Sequence, residues 1–260
     1  MNFLGQTWIG EWLLGLGRLA VMTWEAVASC LTFKASRRDL FYQIYFIGIK
    51  SQAVVLVTGA FTGMVLTAQT YFQFHKVKMD TATLGVVGVA MCDELGPVLT
   101  ALMVAGRVGA AIAAELGTMR VTEQIDALRT LATHPIDYLV VPRLSASMIA
   151  LPLLTVESIA LGICSGYVVG TQLLGIDPVY IYVNMLKYTT DIDIWFGLVK
   201  SFVYGGIIAL VGCYKGLSCG MGAEGVGRAT TEAVVFASIT ILITNFFLTL
   251  FLQRLYVLLS

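Results

Sequence analysis

Six ionisable side chains interrupt long apolar runs of this sequence. They are Asp93, Glu94, Arg107, Glu115, Glu157 and Lys200. A charge in hydrocarbon costs at least about 2.5–3.5 kcal/mol, so such residues face a protein interior or a wet cavity and need partners. Two interpretations follow: a functional cavity that recognises a charged group, or an ion pair that only holds helices together.

Motifs of the common enzyme classes are missing. The two histidines, His75 and His134, lie in separate segments, and there is no HExxH, GxSxG or Cys/His cluster, so we predict no catalytic residue and no metal site. Without a P-loop, the chain alone does not hold ATP in the usual way. Gly220–Gly225 fits GxGxxG, but an apolar run precedes it and no acidic residue follows Glu232, which favours a cytoplasmic loop over a dinucleotide site.

The composition indicates a membrane protein. Of 260 residues, 58% are hydrophobic and only 12% are charged, about half the charged fraction of a soluble domain. Sixteen basic residues balance sixteen acidic ones, so there is no basic field for nucleic acid.

The apolar runs predict an all-α fold with five transmembrane helices, because about 20 apolar residues cross a bilayer. The predicted spans are about 51–75, 82–117, 144–176, 194–214 and 232–256. The second span would be about 50 Å long as one straight helix, so we expect a break near 96–97, where Pro97 lacks a backbone donor. The third is interpreted as one long tilted helix with Pro152 as a kink point.

Residues 1–32 are predicted to form an amphipathic helix in the membrane interface, before a membrane-spanning domain at 33–260. Apolar residues from Trp8 to Ala20 follow helical spacing, and three of the four tryptophans lie here. The alternative, a sixth crossing helix, would require Glu11, Arg18 and Glu25 to face a protein interior.

Counting Lys and Arg orients the chain. With a cytoplasmic N-terminus, ten basic residues fall in inside segments and four in outside segments. Because positive charges favour the cytoplasmic side, we predict a cytoplasmic N-terminus and a periplasmic C-terminus.

This topology also predicts contacts between the intramembrane charges. Glu94 and Lys200 lie at similar depth in the outer half of different helices, so we expect them to meet. Arg107 is 13 residues from Glu94, about 20 Å along a straight helix, so those two should not pair.

The segment 119–134 reads as a short amphipathic helix on the cytoplasmic side. Val121, Ile125 and Leu128 recur at helical spacing between polar residues. It is either a solvated connector or a docking helix for a cytoplasmic partner.

Two runs carry a family resemblance. Residues 94–128, ELGPVLTALMVAGRVGAAIAAELGTMRVTEQIDAL, and 224–235, EGVGRATTEAVV, resemble the MlaE family of permeases. These are membrane subunits of a bacterial ABC system that maintains outer-membrane lipid asymmetry, and the similarity extends over nearly the whole chain.

The resemblance implies a multi-pass protein of the bacterial inner membrane that moves phospholipids between the inner and outer membranes. The implied assembly is a homodimer with an ATPase subunit that binds ATP and Mg, an MCE-domain subunit and a STAS-domain subunit. The chain itself is then not an enzyme and holds no cofactor.

The resemblance also implies a lipid pocket between two copies. Glu94 and Lys200 match its charged positions, and Leu66, Phe74 and Val77 match its apolar lining. On this basis Lys200 is expected to attract a phosphate headgroup, with Glu94 tuning or releasing it. Asp93 departs from the pattern, because relatives often have arginine there.

A coupling helix for the ATPase is implied at residues 120–131. The candidate coupling residues are Arg120, Glu123, Gln124, Asp126 and Arg129.

Two other functions remain open. A proton-coupled secondary transporter of a hydrophobic or amphiphilic solute would use Glu94 or Glu157 as its proton site. It would work without an ATPase and stop when the proton gradient collapses. A membrane lipid enzyme is the other, although a nucleophile or metal set is missing.

Overall fold

The computed structural model describes residues 8–31, 37–131 and 133–259, and within them the regular structure is helical. We number the helices in chain order. They are α1 Trp8–Leu31, α2 Arg38–His75, α3 Asp80–Val121, α4 Gln124–Thr130, α5 Ile136–Leu173, α6 Pro178–Tyr188, α7 Asp191–Leu217 and α8 Gly222–Leu259. In the described ranges α2, α3, α5, α7 and α8 are long and apolar enough to cross a membrane, which confirms the five predicted spans.

Short connections between the spans give the bundle two distinct ends. At the end that we call the α4 end, α4 joins α3 to α5, and α7 turns into α8. At the opposite α6 end, α2 turns into α3, and α6 joins α5 to α7. Every charged residue in a span can therefore be placed nearer one end or the other.

The core lies between α3, α5 and α7. Buried residues such as Val108, Leu151 and Ile208 fill it, and Ile241 closes it from α8. Phe61 on α2 and Phe246 on α8 are more than half exposed. The outer faces of α2 and α8 therefore meet the surroundings, whether lipid or another copy.

Close helix contacts depend on glycine where α2 crosses α5. A Cβ at Gly63 would collide with the backbone of Gly162, so no larger residue fits there without separating the helices. Small residues four apart allow this approach between membrane helices.

The expected break in the second span is absent: α3 is continuous from Asp80 to Val121. A π-helical turn, Met91–Leu95, lies just before Pro97 instead. In that turn the Gly96 amide donates to the Met91 carbonyl, five residues back, so the chain passes the proline without ending the helix. A second π-helical turn, Ala105–Gly109, lies further along α3, and a third, Tyr45–Ile49, lies in α2.

Other bounds also differ from those expected. α2 begins 13 residues before position 51, and α6 lies in a segment for which we predicted no helix. Its signal was Asp177, whose carboxylate accepts the Val179 amide at 2.9 Å as an N-cap before Pro178. α5 remains one helix with Pro152 inside it, as interpreted.

The N-terminal helix α1 is described over Trp8–Leu31, and it is not one of the five apolar helices of the described residues. Met22 and Ala26 are buried against the bundle, whereas Arg18 and Glu25 are exposed. Residues 1–7 and the side chains of Trp8, Glu11 and Trp12 lie outside the described residues, and the interfacial placement of α1 stays a prediction.

Candidate functional site

Lys200 on α7 is the most deeply buried charge of the described spans, with a side-chain exposure of 0%. Its Nζ donates to Asp93 Oδ1 at 2.8 Å, to the Asp93 carbonyl at 2.8 Å and to Glu94 Oε1 at 2.9 Å. An ammonium has three protons, so its hydrogen-bonding capacity is used completely. The predicted meeting of Glu94 and Lys200 is confirmed.

Two local features of the backbone create this arrangement. In a regular helix the amide of residue 97 would donate to the Asp93 carbonyl, but Pro97 has no N–H, and Lys200 supplies the missing donor. Gly197, one turn before Lys200, lies against the Cys92 carbonyl where a Cβ would collide. Proline on α3 and glycine on α7 thus bring an ammonium to a free carbonyl.

Glu94 continues the cluster to α8. Its Oε1 accepts from Thr249 Oγ1 at 2.8 Å and its Oε2 from Asn245 Nδ2 at 2.9 Å. Tyr204 on α7 then donates to Asn245 Oδ1 at 2.6 Å. We call this cluster, Asp93, Glu94, Lys200, Tyr204, Asn245 and Thr249, the Glu94 network.

In the Glu94 network the cation is buried and the carboxylates are partly exposed. The Glu94 side chain is 35% exposed and Asp93 16%, whereas Lys200 has no exposed surface. One ammonium faces two carboxylates, so the ionised network carries one formal negative charge. In this conformation Glu94, rather than Lys200, has surface open to a ligand, which differs from the expected attraction of a phosphate by Lys200.

Sequence reasoning missed Asp93 as a partner of Lys200, and it missed the polar groups of α8. A signal for the latter existed: Asn245 and Thr249 are four residues apart in a run with no formal charge, so they share one helix face. Buried polar groups in a membrane need partners, and a pair at this spacing indicates a polar face.

The apolar candidates lie on another helix. Leu66 and Phe74 are half-buried on α2, and Val77, just after its end, is 62% exposed. The hydrogen bonds of the Glu94 network join α3, α7 and α8. The role of Leu66, Phe74 and Val77 as a pocket wall involves a second copy of the chain and stays a prediction.

Arg107 does not meet Glu94, as expected from their spacing. It donates to Ser51 Oγ at 2.6 Å, on α2. Glu157 accepts from Gln52 Nε2 at 3.1 Å, and Glu115 pairs with the buried Arg143 at 2.9 Å.

The segment expected to be one helix at 119–134 is divided. α3 continues to Val121, Glu123 adopts a left-handed φ of 59°, and α4 begins at Gln124. Arg120 therefore belongs to α3, where its guanidinium donates to the Leu217 carbonyl at the end of α7.

α4 combines a buried anchor with an exposed charged face. Ile125 is buried, while Asp126 and Arg129 form an ion pair of 3.0 Å with both side chains about two-thirds exposed. This anchored, exposed face is suitable for docking a partner.

A cavity of about 460 Å³ lies at the α4 end, where α7 turns into α8. Its lining includes Gly220 and Gly225 of the GxGxxG segment. Glu232 at its wall pairs with Lys215 at 2.8 Å and with Arg228 at 2.9 Å. No strand precedes this loop in the described residues, so the cavity lacks the frame of a dinucleotide site.

Comparison with known proteins gives the family. The model described as Permease MlaE matches residues 40–251. The chain belongs to the MlaE permease family. A probable ABC transporter permease protein of Rickettsia conorii is 44% identical over 234 residues, 90% of each chain. One of Synechocystis is 43% identical over 237 residues, 91% of this chain and 90% of the relative.

A plant protein is also similar. The chloroplast protein TRIGALACTOSYLDIACYLGLYCEROL 1 of Arabidopsis thaliana is 38% identical over 231 residues, 89% of this chain and 66% of the relative. As an MlaE permease, the chain is the membrane permease subunit of an ABC transporter. A permease of this type works with an ATPase partner.

Proposed function

We propose that this MlaE permease moves phospholipids between the inner and outer membranes through a pocket between two copies of the chain. The observation that carries the proposal is the Glu94 network, in which a fully buried ammonium holds a 35% exposed carboxylate inside a span. A purely structural ion pair would gain from covering both charges, because an unsatisfied charge in hydrocarbon is costly.

The surroundings of the Glu94 network suit an amphiphile. α8 supplies its Asn245 and Thr249 contacts and also carries exposed aromatic residues such as Phe246 and Phe251. A ligand with a polar headgroup and acyl chains would match a carboxylate bordered by apolar surface. The name of the Arabidopsis relative contains that of a glycolipid, which also favours a lipid substrate.

A homodimer supplies the remaining wall of the proposed pocket. In it Leu66, Phe74 and Val77 hold acyl chains against the open side of Glu94. The proposed orientation puts the α4 end in the cytoplasm of a bacterial cell and the C-terminus in the periplasm. The MCE-domain and STAS-domain subunits belong to the same proposal.

The proposed mechanism uses the contacts between α3 and α7. The ATPase pushes α4 when it closes on ATP, and α4 follows directly after α3. The Arg120 contact with the Leu217 carbonyl joins α3 to α7 at the α4 end, and Lys200 joins the same two helices at the Glu94 network. A shift of α4 therefore reaches both sides of the network and changes the pocket.

The test is Glu94→Gln in the reconstituted complex with its ATPase, with ATP-driven transfer of labelled phospholipid as the readout. Removing the charge should lower the transfer rate about 10- to 100-fold, which corresponds to the loss of one charge-assisted hydrogen bond. Glu232→Gln is the matched control, because Glu232 is 36% exposed and also bonds a lysine, but lies at the α4 end.

Equal transfer by the wild type and Glu94→Gln would contradict the proposal. Transfer that continues without the ATPase and stops when the proton gradient collapses would instead establish the secondary transporter.

A further inference from the structure

A second cationic cluster lies nearer the α4 end, between α2 and α3. Arg107 is in the π-helical turn Ala105–Gly109, and its NH1 donates to Ser51 Oγ at 2.6 Å and to the Phe46 carbonyl at 3.4 Å. Within the described residues, its Nε and NH2 make no hydrogen bond. One edge of the guanidinium is therefore fixed by α2 and the rest is available.

Lys50 brings a second positive charge to the same ring. Its Nζ lies 5.1 Å from the centre of the Phe46 ring, and Arg107 Cζ lies 5.7 Å from it. The two cations are thus no more than about 11 Å apart, each within cation–π range. We call Phe46, Lys50 and Arg107 the Phe46 cluster.

The Phe46 cluster has no internal counter-charge. Among the described residues, no carboxylate lies within ion-pair distance of Lys50 or Arg107. Glu157 approaches the neighbouring Gln52 instead, at 3.1 Å. The bond of Arg107 to the Ser51 hydroxyl orients the guanidinium without cancelling its charge. Two positive charges in neighbouring spans therefore need an anion from outside the chain.

The depth of the Phe46 cluster indicates which anion. α2 has 38 residues and α3 has 42. If each helix is centred on a hydrocarbon core of about 30 Å, the core covers roughly ten residues to either side of the midpoint. Phe46 then lies at the boundary between headgroups and acyl chains at the α4 end, with Lys50 and Arg107 a turn or so inside. Phosphate groups of phospholipids lie just outside this boundary, and the Lys50 Nζ extends toward it, over the Phe46 ring.

We propose that the Phe46 cluster binds the phosphate of an anionic phospholipid in the leaflet at the α4 end. The free edge of a guanidinium and a nearby ammonium suit phosphate oxygens, and the ring fills the space beside the headgroup. The inference rests on the proposed function in one respect, that phospholipids are the substrate. It adds a second lipid-binding site, which lies in the opposite half of the bundle from the Glu94 network, and a preference for negative headgroups.

The test measures which lipids the intact complex retains. The purified complex is reconstituted in phosphatidylcholine bilayers with spin-labelled phosphatidylglycerol or spin-labelled phosphatidylcholine, and the immobilised fraction of each label is compared. The wild type should favour phosphatidylglycerol. Lys50→Gln should reduce that preference about fivefold, as expected for one basic side chain at a lipid surface. Lys50→Arg should keep it.

Lys187→Gln is the matched control. Lys187 is exposed, and its Nζ lies 5.6 Å from the Tyr188 ring, but it belongs to α6 at the opposite end. The Lys187→Gln variant should keep the wild-type preference for phosphatidylglycerol. The Lys50 side chain makes no hydrogen bond with the described residues, so its substitution should not unfold the chain.

Three results would overturn the proposal. Two of them are a wild-type preference in Lys50→Gln and an equal loss in Lys187→Gln, which would mean a general effect of surface charge. Displacement of the lipid by excess inorganic phosphate, compared with sodium chloride of equal ionic strength, would show a phosphate site that is not specific for lipid and would also overturn it. Retention by the Phe46 cluster and transfer through Glu94 are separate measurements, so either proposal can fail while the other stands.

Discussion

Lys200 and Arg107 are both cations inside spans, but Lys200 contacts charged partners and Arg107 contacts neutral ones. Lys200 has two carboxylates and a carbonyl within 2.9 Å and no exposed surface. Arg107 contacts the Ser51 hydroxyl, the Phe46 carbonyl and the Phe46 ring. The other charge in the Phe46 cluster is Lys50, which is also positive. The charge of Lys200 is balanced by carboxylates, whereas no carboxylate of the described residues lies within ion-pair distance of Arg107.

The difference shows how the two halves of the bundle can treat a lipid differently. The Glu94 network has one excess negative charge near the α6 end, and the Phe46 cluster has two positive charges nearer the α4 end. Both are built on π-helical turns, Met91–Leu95 for the first and Tyr45–Ile49 with Ala105–Gly109 for the second. Such turns change the direction of side chains and free backbone groups, and they are frequent at functional sites.

Lys200→Met should have the largest effect on stability, because it leaves two carboxylates without their cation. Breaking a buried pair costs about 3–5 kcal/mol, so the free energy of unfolding should fall by about that amount. Denaturant unfolding of the purified protein in detergent measures it. The control is Lys215→Met, whose ion pair with Glu232 is partly exposed and should contribute no more than about 1 kcal/mol. Equal losses in the two variants would show that burial of Lys200 does not matter.

Arg107→Gln should have an intermediate effect, because Arg107 contributes hydrogen bonds from a charged group but balances no carboxylate. We expect a loss of about 1.5–3 kcal/mol in the same unfolding measurement. The Ser51 hydroxyl keeps its own bond to the Ile47 carbonyl at 2.6 Å, which limits the damage. A loss larger than that of Lys200→Met would reverse the comparison.

Exchanging the charges of α4, with Asp126→Lys and Arg129→Glu together, should have the smallest effect on stability. The ion pair is preserved with reversed polarity and both side chains are exposed, so the free energy of unfolding should stay within about 0.5 kcal/mol. Co-purification of the ATPase should nevertheless be lost, because the docking surface now carries opposite charges. Unchanged co-purification would remove α4 from the ATPase contact.

The sequence was sufficient for the spans and for the meeting of Glu94 with Lys200. Spans follow from hydropathy, and the contact follows from depth, because two charges at one level of a bundle have few other partners. Arg107 was separated from Glu94 by helix rise alone. The single long helix around Pro152 was predicted correctly because the shorter piece of this apolar run, the 13 residues before Glu157, cannot cross a bilayer by itself.

The sequence was not sufficient for the features that depend on tertiary contact. Pro97 indicated an irregularity, but a kink and a π-helical turn produce the same signal, and the choice depends on what satisfies the Asp93 carbonyl. That donor, Lys200, is 103 residues away from Pro97 in the chain. Tyr204 joins the Glu94 network only through Asn245 on α8. The division of 119–134 rests on the left-handed backbone of Glu123, which residue type alone does not indicate.

The missing amide of Pro97 also affects how firmly Lys200 is held. Any other residue at this position would restore an N–H that competes with the lysine for the same oxygen. The lysine would then have one acceptor fewer, and the turn before it would be free to relax to regular geometry. Substitution of Pro97 should therefore cost less than substitution of Lys200, because only loss of the lysine leaves both carboxylates without their cation.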